Sequence, residues 1–425
     1  MSTWHRNSGI HTQTDLFKFW QPDRVAQIYT KSDFPDTPVC TQFFQIAENS
    51  IIRSVINRRD VGKEVVNGQP VSADAAKAIE AEQKLYKRAH RKKSWFMTLV
   101  REVVWFLGKW RTPALMNFVK KVDADVYFVP IYPVVYTGLI QLHILKHYPK
   151  PYVCYLADDN YSYLPCGRNV FSYIHRFLLR KVVKALAENS TEMFTITKTE
   201  AEDTDRLFGT KSVVLTKGID YSKLSFIPKI PDTPIRMVYT GNMFIGRASS
   251  LAAISKALGN INTDGTKMTL DIYTPTIVDD KTMTLLNSNG CHCHAPVPKD
   301  EVHAIQQAAD IVVFVESLEK EHRYAARLSF STKLTDYFSS GKCIFAIGDE
   351  SIAPIVYLQE NDAAVVATSY DEIEARLREL CDNPSIVTDM GRKAFDCGKR
   401  NHEINQVKST FVNTMCRAAG KEFCR

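Results

Sequence analysis

SFSTKLTDYFSSGKCIFAI, residues 329–347, holds a helix start, a helix stop and a buried strand. Ser331 is an N-cap residue type, Thr332–Ser340 is free of breakers, and Gly341 is a stop that tolerates a left-handed backbone. Cys343–Ile347 is an unbroken apolar run, the mark of a strand covered on both faces. A helix followed within two residues by such a strand is the repeating unit of a parallel α/β sheet. The helix start presents free N–H groups and a positive dipole end, and Lys333 adds a charge there, so Ser331, Thr332 and Lys333 suit a phosphate. Asp336 lies four residues beyond Thr332 on the same face, about 6 Å further along the axis. That offset suits a ribose hydroxyl pair beside a diphosphate. An ordinary capped helix with a solvated lysine and aspartate fits the same letters.

The same alternation extends outward in both directions. Strands are expected at 236–240, 268–273, 310–315 and 363–366, with helices at 251–258, 300–309, 371–382, 385–398 and 405–415. Upstream, strands are expected at 25–30, 126–131, 152–156, 193–197 and 213–216. A helix at 199–208 carries a Thr199–Glu202 capping box and a Gly209 stop. Between the two series, FIPKIPDTP (226–234) is proline-rich and aperiodic, a linker. The expected architecture is α/β, with two Rossmann-like doubly wound domains over residues 1–230 and 231–400, facing a central cleft. A helical segment, 401–425, would pack back on the first domain. Ligands bind at the carboxyl ends of strands in such sheets. One oddity concerns the start: a strand should precede the loop Asn7-Ser8-Gly9, and only Met1-Ser2-Thr3-Trp4 is available, reading as the tail of a truncated strand.

Three further segments carry chemistry. Tyr239-Thr-Gly-Asn242-Met-Phe-Ile-Gly246-Arg247 is a strand running into a glycine-bounded loop with one arginine, whose planar fork grips phosphate. A tight turn with a surface arginine is the other reading. Asp158 and Asp159 close a first-domain strand, where a carboxylate can act as a base or hold sugar hydroxyls, or merely cap a helix; spacing does not choose between the two. Lys84–Arg111 holds nine basic residues against one acid, interleaved with Trp95, Phe96, Trp105, Phe106 and Trp110. It reads as an interfacial segment for anionic lipid, or as a core-facing stripe with solvated charges.

Composition sets the outer bounds. The chain has 425 residues, 45% apolar and 24% charged, which excludes disordered, collagenous and low-complexity classes. A net charge of +7 suits an anionic partner, and no nucleic-acid motif accompanies it. The ten cysteines include no CxxC, which points to reduced thiols in the cytoplasm. In Cys291-His-Cys293-His294 strand alternation divides the side chains between two faces, so no metal site is expected. The most apolar stretch, 126–145, is broken by Pro130, Pro133, Gly138 and His143, and a spanning helix needs ~20 apolar residues.

FSTKLTDYFSSGK, together with VYTGNMFIGR (238–247) and AADIVVFVES (308–317), resembles the nucleotide-sugar-binding domain of GT-B group 1 glycosyltransferases, also called glycosyltransferase family 4. Residues 18–60 and 84–125 look like bacterial surface-polysaccharide members. The resemblance implies a hexosyl transfer, without metal or further cofactor, from a nucleotide diphosphate sugar to a saccharide or lipid-linked acceptor held by the first domain; the basic segment at 84–111 adds the expectation of a cytoplasmic protein at the inner membrane face. The resemblance implies that Arg247 and Lys333 meet the donor diphosphate and Asp336 the ribose; Asn242 is a further donor-binding candidate. Gly9 would lie near the phosphates, and backbone around Val297 would hold the base. Leu328 stands where the family carries the first acid of its Glu-x7-Glu pair, with Glu316 as a substitute, and Ala252 stands where a basic partner is usual. A nucleotide-sugar epimerase of the same fold and an inactive scaffold of a polysaccharide assembly complex are the alternatives.

Overall fold

The computed structural model describes residues 1, 3–5, 12–68, 76, 79–80, 94–166, 169–322 and 324–422. Gly9 and the basic residues 84–93 lie outside the described residues. In the first half, β1 (Ala26–Tyr29) pairs in parallel with β2 (Gln42–Gln45), which pairs antiparallel with β3 (Lys63–Val65). A separate parallel sheet follows in the order β4 (Tyr127–Pro130), β5 (Tyr152–Tyr155), β6 (Glu192–Thr195) and β7 (Ser212–Val214). The sequence reading missed β2 and β3. QFFQ is only four residues long, and KEV exposes both of its charged residues, so neither carries a periodic apolar signal.

The second half forms one six-stranded sheet, all parallel. Its order is β10 (Cys291–His294), β9 (Met268–Tyr273), β8 (Ile235–Thr240), β11 (Ile311–Val315), β12 (Cys343–Ile347) and β13 (Val365–Ala367). The apolar runs IVVFV and CIFAI are buried at every residue. Ile311, Val313 and Val315 enter the core on one face, and Val312 and Phe314 the core on the other. That two-sided burial is what a central parallel strand requires. Residues 224–234 form no helix or strand. The helix Ile404–Ala418 lies on the sheet of the first half, where the Phe411 ring meets Phe17, Trp20, Phe128 and Phe194 at 5.2–5.7 Å.

Two local expectations are corrected. The helix at 198–208 is capped by Thr197, not Thr199: the Thr197 hydroxyl accepts from Glu200 N–H (3.1 Å), and the Glu200 carboxylate accepts from Ile196 N–H (2.9 Å). The run TKTEAE contains overlapping Thr-x-x-Glu patterns, and the chain direction at the end of β6 selects the earlier one. In the helix Trp95–Leu107 the apolar residues divide between two faces. Trp105, like Trp110 beyond it, is fully buried, while Phe96, Met97, Val103 and Phe106 are exposed. The described cysteines are all free thiols, and no cluster of His, Cys, Asp and Glu among the described residues could hold a metal. No described helix is long and apolar enough to cross a membrane.

Glu102 ties this helix to its neighbours. Its carboxylate, 6% exposed, accepts from Val135 N–H (2.9 Å) and Tyr136 N–H (2.8 Å), two orphan donors at the start of the helix Val135–His147. His175 stands 3.3 Å away. Replacing Glu102 by Ala leaves those donors buried without partners, and should lower unfolding stability by about 2–4 kcal/mol, read by chemical denaturation.

Candidate active site

β8 ends at Thr240 and the chain turns through Gly241–Gly246 into the helix Arg247–Ile261. Gly246 at φ +73° directs Arg247 back over the end of β11. There the Arg247 guanidinium donates to the Val315 carbonyl (3.1 Å), to both Glu316 oxygens from one terminal nitrogen (2.8 Å each) and to Asn242 Oδ1 (2.9 Å). Glu316 is 8% exposed, so this is a largely desolvated pair, and Glu316 keeps the arginine raised despite its burial.

Lys333 stands in the first turn of the helix Thr332–Ser340, half-buried, its ammonium 5.1 Å from the centre of the Tyr239 ring. Gly241 makes this approach possible. At φ +148° a Cβ there would fall 1.9 Å from Lys333 Nζ. No hydrogen bond or ion pair joins that nitrogen to another described residue. Burial, and then the charge of Arg247, push its pKa down to about 8. Ser331 occupies the N-cap position but its hydroxyl makes no capping bond. The loop at 241–246 and the helix start thus meet around one cavity of about 160 Å³, lined by Tyr239, Asn242, Arg247, Glu316, Ser331 and Lys333. Two cations, one carboxylate and uncapped helix amides leave this cavity short of negative charge.

The other predicted residues are distributed differently. Asp336 does not line the cavity; its carboxylate accepts from Lys217 Nζ at 2.6 Å, an ion pair joining the two halves. The helix places it one turn beyond Lys333, and the nearest cation on that side takes it. Thr332 is exposed, and Val297, in the loop after β10, is half-buried; neither lines the cavity. Both Glu316 oxygens are held by Arg247, so the substitution expected at the missing first acid is met by an ion pair instead. Leu328, at the position of that acid, is buried, and its carbonyl accepts from the Thr197 hydroxyl across the halves (3.0 Å).

The structure also separates the two carboxylates at the end of β5. Asp159 is engaged by Ser162 N–H (2.8 Å) and by Arg327 from the second half (3.0 and 3.1 Å), which also pairs with Asp203 (2.7 Å). Asp158 instead has an exposed side chain, with Ser329 of the second half bonding its carboxyl. Partial desolvation at the strand end, and then the adjacent Asp159, push its pKa up to about 6 against that bond. Ser329 is four residues before Lys333, so their Cα atoms are at most about 14 Å apart. Glu200, at the start of the helix after β6, is fully buried with one oxygen unpartnered, and burial pushes its pKa up to about 8. Sequence reasoning missed Arg327, Lys217 and Glu200. They belong to no periodic pattern, although Lys217 directly follows the strand expected at 213–216.

No protein-family model and no curated protein sequence matches this chain. Solved structures do. TarM superposes with a TM-score of 0.53 at 12% identity over 71% of this chain and 57% of its own. HepE from Anabaena, in complex with UDP-glucose, gives 0.52 at 9% identity over 72% and 82%. Sucrose-phosphate synthase from Thermosynechococcus elongatus gives 0.52 at 11% over 75% and 77%. This chain has the GT-B fold. It spans little more than half the length of TarM. In a GT-B frame the cavity around Lys333 lies at the carboxyl edge of the second sheet, where ligands of such sheets bind.

An anion in this cavity interacts with a lysine whose free-state pKa is about 8. The charged form binds the anion better, so affinity for pyrophosphate, used as a probe anion, should begin to fall above pH 8, read by titration calorimetry. Lys333→Arg does not titrate in this range and should flatten that dependence.

Proposed function

We propose that this chain is a glycosyltransferase that moves a sugar from a nucleotide diphosphate sugar to a saccharide or lipid-linked saccharide acceptor in polysaccharide assembly. The observation that carries the reading is the Lys333 ammonium, half-buried, making no ion pair with any described residue, beside Arg247 and an uncapped helix start. A pyrophosphate supplies the charge this cavity is short of. The same fold in HepE, solved with UDP-glucose, supports a nucleotide sugar as that pyrophosphate.

The chemistry follows from the charges. The bond between the anomeric carbon and the diphosphate oxygen breaks, and its electron pair leaves on the diphosphate. The acceptor hydroxyl oxygen bonds to that carbon and gives its proton to Asp158, which at about 6 is ionised at neutral pH yet close enough to take a proton. Arg247, Lys333 and the helix start meet the charge growing on the leaving group. Donor binding draws part of the Arg247 fork away from Glu316 and Asn242. The reading asks for no metal and no further cofactor, because side-chain cations meet the leaving charge.

A second reading, an inactive scaffold that retains the nucleotide, is favoured by one observation: both Glu316 oxygens already neutralise Arg247. Arg247→Ala and Lys333→Ala should each lower turnover about 10²-fold in a transfer assay with chelator present. Asp158→Asn should lower kcat while leaving nucleotide-induced thermal stabilisation intact. Turnover unchanged in all three variants defeats the transferase; stabilisation by nucleotide with no turnover across an acceptor panel selects the scaffold.

The reading extends to a peripheral position on the inner face of the plasma membrane. Phe96, Val100, Val103 and Phe106 recur at helical spacing on one exposed face of the helix Trp95–Leu107. The face continues into the helix Val170–Ala187, where Phe171 lies 5.5 Å from Phe96 and Ile174 and Phe177 are exposed. Arg111 lies over the exposed Phe106 (5.8 Å) and Lys181 over Phe177 (4.5 Å), so cations rim the apolar area. That helix begins just beyond the Asp158 loop, which brings acceptor chemistry to the same side. The protein should sediment with anionic vesicles and not with neutral ones, less so at high salt. The Phe96→Ser, Phe106→Ser double variant should reduce this binding about tenfold or more, since each exposed ring contributes roughly 1.5–3 kcal/mol when buried. Equal binding by the double variant removes the membrane from the reading.

A further inference from the structure

One residue beside the cavity of Lys333 stands in a backbone conformation that its side chain disfavours. Ile245 lies at φ +61° and Gly246 at φ +73°, so both central residues of the turn Phe244–Arg247 are left-handed. Arg247 N–H closes this turn on the Phe244 carbonyl (3.5 Å). A turn of this hand takes Asn, Asp or Gly at its first central position. Gly246 suits it and Ile245 does not, because a branch at Cβ makes the left-handed region a costly one. The other described residues besides glycine at positive φ are Arg58, Asp123, Asn289 and Asp362, none branched at Cβ and three of them Asn or Asp.

Packing does not explain the choice of isoleucine. The side chain is 39% exposed and belongs to neither apolar core of the second half, whereas Met243, two residues earlier, is buried in one of them. The strained turn sits between two fixed points. On one side Met243 N–H donates to the Thr276 hydroxyl (3.0 Å). On the other, the first turn of the helix Arg247–Ile261 is bonded to the segment after β11: Ser249 donates to a Glu319 oxygen (2.5 Å) and Ser250 to the Glu316 carbonyl (3.1 Å). Residues 244–247 are the stretch between these anchors, and Arg247 is its last member. Its guanidinium is spent on Glu316, the Val315 carbonyl and Asn242, and the strained turn aims it there. Strain of this kind persists where the surroundings over-determine it, and it clusters at ligand sites.

We propose that Ile245 is a positioning residue for Arg247: its strained turn belongs to the form that keeps the guanidinium on Glu316, and it relaxes to an extended backbone when an anion takes the guanidinium over. The strain released offsets part of the cost of drawing Arg247 off Glu316. It therefore adds to anion affinity and subtracts from the stability of the free protein. The proposal rests on the reading of the Lys333 cavity as an anion site, and adds a contribution that neither cation supplies.

Pyrophosphate is titrated calorimetrically into the full chain and into its Ile245→Val, Ile245→Asn and Ile245→Gly variants, each with and without Arg247→Ala. Valine keeps the branch at Cβ and should bind as the unaltered chain does. Asparagine and glycine accept the left-handed turn, hold the free protein in it, and should weaken pyrophosphate about tenfold, the scale of one strained residue. Two relaxed variants keep the test standing where one fails to fold. In the Arg247→Ala background, with pyrophosphate raised to the concentration that weaker binding requires, the same substitutions should change nothing, because no guanidinium is left to move. A merely structural role for Ile245 would not give that dependence. Relaxed variants that bind as tightly as the unaltered chain, or more tightly, overturn the proposal while leaving the anion site in place. Equal weakening in the Arg247→Ala background overturns it too. Absence of saturable binding by the unaltered chain defeats the anion-site reading itself, and the proposal with it.

Discussion

A half-buried ammonium that makes no ion pair with any described residue is costly, and Lys333 is held in that state by the backbone around it. Gly241 gives way where any side chain would collide, Tyr239 supplies a ring face, and Arg247 adds like charge. Burial and Arg247 depress the lysine, while the Tyr239 ring face and the nearby Glu316 charge offset only part of that. The cost falls when an anion enters, because the same two cations that repel each other then share a partner. Glu316 limits the repulsion in the empty cavity by holding the arginine, and so sets how much of the guanidinium a ligand must win back.

The second constraint is the seam between the halves. Arg327 joins Asp159 and Asp203, Lys217 joins Asp336, and the Thr197 hydroxyl reaches the Leu328 carbonyl. All of these second-half partners fall between residues 327 and 336, the segment that leads into and carries Lys333. The polar groups that orient the two sheets are therefore chain neighbours of the anion-binding lysine. This economy explains why Asp158 and Asp159, adjacent in sequence, differ so much: one is consumed by the seam and the other is left facing solvent under raised pKa.

The exposed apolar face at Phe96 and Phe106 and the cavity of about 820 Å³ beside β1 show opposite treatments of unpaired surface. The first is bordered by cations, Arg111 over Phe106 and Lys181 over Phe177. The second is walled by aromatic and aliphatic side chains, among them Phe17, Trp20, Phe118 and Ile140. Chemistry at the rim, more than area, distinguishes them.

Periodicity and capping were enough to read the doubly wound architecture, most strands of both series, the helix Thr332–Ser340 with its Gly341 stop, and the convergence of a glycine loop with a lysine-bearing helix start. These are local: a buried parallel strand must be apolar at every residue, and a helix must stop where the backbone turns left-handed. Short or polar strands such as KEV, the choice between overlapping caps in TKTEAE, and the division of Trp105 from Phe106 depended on what lay across the fold. So did every ion pair of the site. Nothing in the spacing of Asp336 announces Lys217, and nothing in Asp158-Asp159 announces Arg327, because such pairs join residues more than a hundred positions apart. Side-chain type and chain order determine which groups a strand end can offer; only the packing of one half against the other decides which of them remain unpaired and able to act.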